Sequence, residues 1–325
     1  MDSYYLRLPQ VANITDTKRH TLNARLRNLF DSSELKRNSA NQILLHPNQT
    51  RQIIDDRILP HKGKIIYIGN LKGGVGKTTL AYLISNSLSL LGLKVCVLDL
   101  DVQANITRQY VNISPDQPVF YDVIDEDPKS KKNIKDVIIK VSENLDIIPS
   151  SLKNSLIERV LTVQGPKHQL NWFNSICLKY LRGNYDVVVV DTPPHLTTLN
   201  SVLCLCLTDN DHVVIPVCAE DFSDMGVQMF LEDITGIRQS YQVKQKFIIS
   251  IIMNRFFQNQ KTNLEMLVKM GQKYQGMLSE AIIRDNAKIR EMMNNKIWLS
   301  DIKKGKEIYE ILASLLKELK IIKET

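Results

Sequence analysis

Three glycines and two lysines fall within eight residues at Lys72-Gly73-Gly74-Val75-Gly76-Lys77-Thr78-Thr79, between two apolar runs. The run before it, Lys64-Ile65-Ile66-Tyr67-Ile68-Gly69-Asn70, predicts a buried strand. The run after it, opening at Leu80-Ala81-Tyr82-Leu83-Ile84, predicts a helix to about Leu91. Strand, glycine loop and helix in that order form the setting of a phosphate-binding loop. Glycines let backbone N–H groups curl around phosphate oxygens, and the helix N-terminus adds positive potential. In such a loop Lys77 reaches the β- and γ-phosphates and the Thr78 hydroxyl ligates Mg2+, with residues 73–79 lining the nucleotide. This one stretch commits the chain to an α/β fold, a doubly wound and mostly parallel sheet.

The loop departs from the usual Walker A pattern at one place. Leu71 stands five residues before Gly76, where glycine is the rule, and Lys72 follows it. The Lys-Gly-Gly-Val-Gly-Lys-Thr version resembles the deviant Walker A motif of the ParA/MinD family of ATPases. The resemblance implies that Lys72 crosses a homodimer interface to the partner's nucleotide. Lys72, Lys77 and Asp101 then form the catalytic set, with ATP/ADP and Mg2+ as cofactors.

Two further segments carry the same resemblance. Lys94-Val95-Cys96-Val97-Leu98 predicts a strand ending in Asp99-Leu100-Asp101-Val102-Gln103, where acidic residues meet the phosphate loop. The segment is similar to the family's first switch, with Val102 in place of its proline. The resemblance implies that Asp101 positions the attacking water and joins the Mg2+ shell, and that Gln103 belongs to the switch. Asp99 fits a strand-end cap as well. Tyr185-Asp186-Val187-Val188-Val189-Val190-Asp191 predicts a central parallel strand with Asp191 at the Walker B position, holding Mg2+ through water. Thr192-Pro193-Pro194 resembles the second switch, a stiff turn able to sense the γ-phosphate. His195 beside it reads as a polar loop residue sooner than a catalytic one. Phe247–Met253 predicts another strand, ending in Asn254-Arg255. The resemblance makes Asn254 the adenine reader; a strand-terminal turn explains it nearly as well.

The first sixty residues follow another pattern. A short helix entered through Pro9, a turn at 13–16 and a helix from Thr17 to Leu29 give a helix-turn-helix, with Leu22, Leu26 and Leu29 on one side. Lys18, Arg19, Arg25 and Arg27 lie on the other and are candidate DNA contacts. A wing near residues 36–45 and a helix opening at Pro47 are similar to MerR-type winged-helix modules. A helical cap or dimerisation arm with a solvated basic face is the alternative. Pro60 and Gly63 set the boundary, giving a domain at 1–60 and an ATPase domain at 61–325.

Lysine plus arginine exceed aspartate plus glutamate by 42 to 35, a net charge of +7, which matters only where it clusters. It clusters late. Lys261, Lys269, Lys273, Arg284, Lys288, Arg290, Lys296, Lys303, Lys304 and Lys306 follow Arg255 with few acids among them. In relatives this surface binds DNA without regard to sequence, which needs basic side chains and no base readout, so Arg255, Arg284, Lys288 and Arg290 are candidates. A solvated basic face competes with that. Residues 111–182 show no chemistry; Phe120–Ile124 and Ile134–Val141 predict short helices, and Trp172 and Phe173 core positions.

The five cysteines lack paired metal spacing and predict buried thiols in a reducing cytoplasm. No run is long enough to span a bilayer, so a soluble, nucleoid-associated protein is expected. The apolar stripe Ile308, Ile311, Leu312, Leu315, Leu316, Leu319 suits packing on the ATPase core, or a MinD-type membrane-surface helix. Three functions compete. A DNA-partition ATPase, stimulated by a centromere-binding partition protein, leads and absorbs the basic N-terminal region. A membrane-surface positioning ATPase of the MinD kind expects no such region. An electron carrier like nitrogenase iron protein needs cluster-ligating cysteines after the switch strands, where none stands.

Overall fold

Strands buried at every position need cover on both faces, and this chain supplies it. The computed structural model describes residues 4–324 apart from 126, 128, 164–169, 171, 220–223, 303 and 304, with the backbone alone at 163. In chain order, β1 (Leu6–Arg7), α1 (Leu8–Ile14), α2 (Arg19–Leu29), β2 (Lys36–Arg37), β3 (Ile43–Leu45) and α3 (Pro47–Ile53) form the first part. There follow β4 (Lys64–Ile68), α4 (Lys77–Leu90), β5 (Val95–Asp99), α5 (Asn105–Tyr110), α6 (Phe120–Ile124), β6 (Ile139–Lys140) and β7 (Leu145–Ile148). The remainder is α7 (Ile157–Val163), α8 (Lys179–Asn184), β8 (Val187–Asp191), α9 (Thr198–Cys206), β9 (His212–Cys218), α10 (Asp224–Ser240), β10 (Ile248–Asn254), α11 (Lys261–Lys273), α12 (Ala287–Asn295) and α13 (Lys306–Glu318).

Seven strands lie in the order β10-β9-β4-β8-β5-β7-β6, all parallel except the edge strand β6. Alternation along each strand divides the core in two. Ile66, Ile68, Val95, Val97, Val187 and Val189 face one apolar cluster, together with α4 and α13. Ile65, Tyr67, Cys96, Leu98, Val188 and Val190 face the other, with Phe120, Phe173, Leu203 and Phe230. Trp172 and Phe173 are core residues as predicted, and Cys204 and Cys206 are buried on a helix. Register sets Asp99 beside Asp191 and Ile68 beside Asp191, so the ends of β4, β5 and β8 share one edge of the sheet.

The segment Ile134–Val141 departs from the helix predicted for it. It makes one 3-10 turn, Ile134–Asp136, and then β6, which pairs antiparallel with β7. Val137-Ile138-Ile139 are β-branched, and an open sheet edge lets their stiff side chains extend.

Residues 4–58 make two helices, a hairpin and a third helix. β3 pairs antiparallel with β1 and β2 in a small sheet, Leu6 opposite Leu45 and Lys36 opposite Leu44. Leu22 and Leu26 of α2 are buried, but Leu29 is 49% exposed and the neighbouring Phe30 turns inward instead. This part shares the α4 and α13 apolar cluster through Leu6, Val11, Ile14, Ile53 and Ile54. Gln10 donates to the Tyr309 hydroxyl (2.5 Å) and the Ser300 carbonyl (3.1 Å), and Tyr4 meets Trp298 edge-on. Gly92, at φ +83, lets α3 press on the end of α4: a Cβ there would lie 2.5 Å from the Pro47 carbonyl oxygen.

Candidate nucleotide site

The loop after β4 closes with Gly74 at φ +76 and Gly76 at φ +93, left-handed conformations that glycine adopts without strain. Gly76 caps α4, so the first free N–H groups of that helix open into the loop. Lys77 is 7% exposed, and its ammonium donates to the carbonyls of Asn70 (3.1 Å) and Lys72 (2.9 Å). Burial lowers its pKa, while Asp191 and Asp101 pull the other way. Asn70 was not singled out in the sequence. It is 4% exposed, accepts from the Lys72 N–H (2.9 Å) and donates to the Pro216 carbonyl (2.8 Å), fastening the loop to β9. Its only signal was an amide at a strand end.

Thr78 donates to Asp191 Oδ2 at 2.8 Å, while Asp191 Oδ1 is buried with no hydrogen-bond partner among the described residues. Burial, then the Asp99 carboxylate, pushes Asp191 well up, and burial raises Asp99 as well. A hydroxyl, an orphaned carboxylate oxygen and excess buried negative charge suit a hard cation. No group of three or more His, Cys, Asp or Glu side chains converges as a cage among the described residues. Such a sparse oxygen set fits Mg2+, which takes its other ligands from phosphates and water.

Asp99 is fully buried and accepts from the N–H (3.1 Å) and hydroxyl (2.6 Å) of Thr107 and from the Asp101 N–H (3.0 Å). It is a strand-end cap. Asp101, 7% exposed, accepts from the Gln103 N–H at 2.9 Å, so the loop after β5 turns around it. Pro193 is buried and Pro194 exposed, the latter within 3.8 Å of where a Cβ on Gly73 would sit. His195 is exposed. Lys72 is half-buried at the head of the loop.

A cavity of about 240 Å3 opens beside Gly74, Gly76 and Thr79, walled by Asn254, Ile283, Ile289 and Met293. Arg255, Arg284 and Arg290, expected on a DNA surface, are exposed and line this cavity as well. Arg255 donates to the Gly74 carbonyl (2.5 Å), Arg290 pairs with Asp285, and Arg284 stands 3.9 Å from Glu307. Lys288 is half-buried at the start of α12. Asn254, 3% exposed, donates to the Val75 carbonyl at 2.7 Å. Of the N-terminal candidates, Lys18, which caps α2, and Arg19 and Arg27 on it are exposed. Arg25 turns inward, gripping Asp56 with both terminal nitrogens (2.5 and 2.6 Å) and the Ile53 carbonyl (2.9 Å). Lys303 and Lys304 lie outside the described residues. The apolar stripe of α13 is buried, and no helix among the described residues is long and apolar enough to cross a membrane.

Comparison with known proteins agrees with this geometry. A family model described as an AAA domain matches residues 63–249. The sporulation initiation inhibitor protein Soj of Bacillus subtilis is 27% identical over 77% of this chain and 97% of its own length. The chromosome partitioning protein ParA of Caulobacter vibrioides is 25% identical over 77% and 92%. Among solved structures, a putative plasmid partition protein of Borrelia burgdorferi bound to AMPPNP superposes with a TM-score of 0.62 at 27% identity, over 78% of this chain and 98% of that one. A variant of Cyanothece McdA in complex with ATP, 22% identical over 81% and 98%, shares the fold with a TM-score of 0.67. With its deviant phosphate loop, its Thr78–Asp191 pair and these relatives, the chain belongs to the ParA/MinD family of P-loop ATPases.

Proposed function

We propose that this protein is an ATP-dependent DNA-partition ATPase. The observation that carries it is the conjunction, in one fold, of a deviant phosphate loop with an N-terminal part whose basic residues Lys18, Arg19 and Arg27, at and along α2, are exposed. Thr78 and Asp191 would hold Mg2+, and Lys77 the β- and γ-phosphates. Bound Mg2+ would neutralise charge developing on the phosphate oxygens. Asp101 orients the attacking water and Gln103 belongs to the same switch. No strong base stands nearby, since an aspartate is weakly basic at neutral pH, so turnover rests on positioning and is slow until a partner completes the site. ATP closes a homodimer with Lys72 reaching across it. Pro193 and Pro194 relay γ-phosphate loss to that interface. In the ATP state the basic surface that includes Lys288 binds DNA without sequence preference, and a centromere-binding partition protein stimulates hydrolysis. Residues 1–57 read an operator. The names of the Caulobacter chromosome partitioning protein and the Borrelia plasmid partition protein support the class of process.

Co-sedimentation with DNA and with anionic liposomes, under ATP, ADP and no nucleotide, tests this. ATP should favour retention on nonspecific DNA. DNA retention indifferent to nucleotide sinks the proposal, and ATP-dependent liposome retention points to a membrane-surface ATPase. The packed α13 stripe argues against that second outcome.

A further inference from the structure

We infer that Asn254 and Arg255, at the tip of β10, are positioning residues that aim the phosphate loop at the triphosphate. The inference rests on the ATPase function proposed above and gives these two residues a task other than reading a base or touching DNA. Two consecutive residues donate to two consecutive loop carbonyls: Asn254 Nδ2 to Val75 at 2.7 Å and Arg255 Nη2 to Gly74 at 2.5 Å. The arrangement is tied in from behind. Arg255 Nε donates to Cys218 Sγ (3.4 Å), whose thiol donates to the same Val75 carbonyl (3.6 Å).

Peptide planarity turns these bonds into aim. In a trans peptide the carbonyl and the following N–H point opposite ways. Pulling the Gly74 and Val75 carbonyls toward β10 turns the Val75 and Gly76 N–H groups to the other side of the loop. A phosphate is bound by such N–H groups. Without the two donors the peptides could rotate and set carbonyl oxygens against the phosphate.

Two independent features say that the contact is built in. A Cβ on Gly76 would collide with Asn254 Nδ2, so the amide is pressed against the loop backbone itself. Arg255 holds φ +48, a left-handed backbone that is unfavourable for a residue with a Cβ. Such strain persists where the surroundings over-determine it. Here the next residue is pinned, Phe256 donating to the Ile283 carbonyl at 3.0 Å, and the left-handed turn swings the guanidinium back over the loop.

The test is nucleotide competition on the full-length protein with Mg2+, displacing a fluorescent ATP analogue with ATP, GTP or inorganic tripolyphosphate. Asn254→Ala and Arg255→Gly should each weaken all three by a common factor of about five to ten, the worth of one net hydrogen bond. The ATP-to-GTP ratio should not move. Glycine is chosen at 255 because it keeps the left-handed backbone without strain. Arg255→Lys, which retains a donor, should recover most of the loss. Asn254→Asp, nearly the same shape with the donor gone, should be at least as weak as Asn254→Ala. A changed ATP-to-GTP ratio with unchanged tripolyphosphate affinity makes Asn254 a base reader and overturns the inference. Loss of DNA retention at unchanged nucleotide affinity in Arg255→Gly overturns it for Arg255. Wild-type protein that binds no ATP defeats the underlying ATPase proposal instead, and is seen before any variant is made.

Discussion

Lys77 shows how much of a nucleotide site one side chain can organise. Its ammonium donates to the carbonyls of Asn70 and Lys72 and thereby ties the segment that enters the loop to the first turn of α4, where the loop ends. Lys77→Ala should lower ATP turnover about a hundredfold or more, the usual cost of losing a charged phosphate contact; normal turnover by a phosphate-release assay would remove the loop from the chemistry. A second residue-scale prediction concerns acid. Burial, and then the Lys64 and Lys320 ammonium groups, push the buried His212 from its ordinary 6.5 down to about 3. The unfolded chain therefore takes up this proton first as pH falls. Stability from the neutral imidazole is complete above about 6.5 and is lost progressively toward 3. Urea midpoints should fall between pH 7 and 4, and His212→Asn should flatten that limb. The glycine loop was legible in its spacing and its two flanks, and Asp101 and Asp191 in the strands they follow, with their roles supplied by the resemblance. The partners of Asn254 and Arg255 were not, since each bond joins residues 179 or 181 positions apart and only the folded register brings them together.

At the scale of elements, α2 divides its basic residues between two jobs that a helical pattern cannot separate. Arg25 braces Asp56 and the Ile53 carbonyl, whereas Lys18, Arg19 and Arg27 are exposed. Arg25→Ala should therefore lower stability by about 1 kcal/mol, read as a drop in melting temperature. Arg27→Ala should leave the melt unchanged and weaken DNA binding, with a shallower salt dependence in a binding isotherm. If Arg27→Ala binds DNA as the wild type does, α2 is not a DNA-reading helix. The central strands were legible because four valines in a row admit little else. β6 was misread because a two-residue edge strand carries no period of its own, and its pairing with β7 decides its shape.

For the whole molecule, the deviant loop carries a second lysine whose proposed task lies in the other subunit. Lys72→Ala should keep nucleotide affinity and fail to form the ATP-dependent dimer in sizing experiments; a dimer of wild-type stability excludes the trans role. The N-terminal part is bound into the same apolar cluster as α4 and α13. Uncovering each large apolar side chain costs roughly 1.5–3 kcal/mol, against a total margin of roughly 5–15 kcal/mol. Deleting residues 1–57 should therefore lower the melting temperature markedly, so point substitutions on α2 separate operator binding from nonspecific binding more cleanly than truncation does.

The bond from Gln10 to Tyr309 joins residues 299 positions apart, and it has a consequence for synthesis. A ribosome adds roughly 5–20 residues per second, so Gln10 emerges about 15–60 s before its partner. During that interval Leu6, Val11 and Ile14 lack the surface that covers them in the finished fold. Residues 4–58 are thus made well before the surface that seats them, and a nascent chain stalled before α13 would present a loosely held basic helix to whatever nucleic acid lies near.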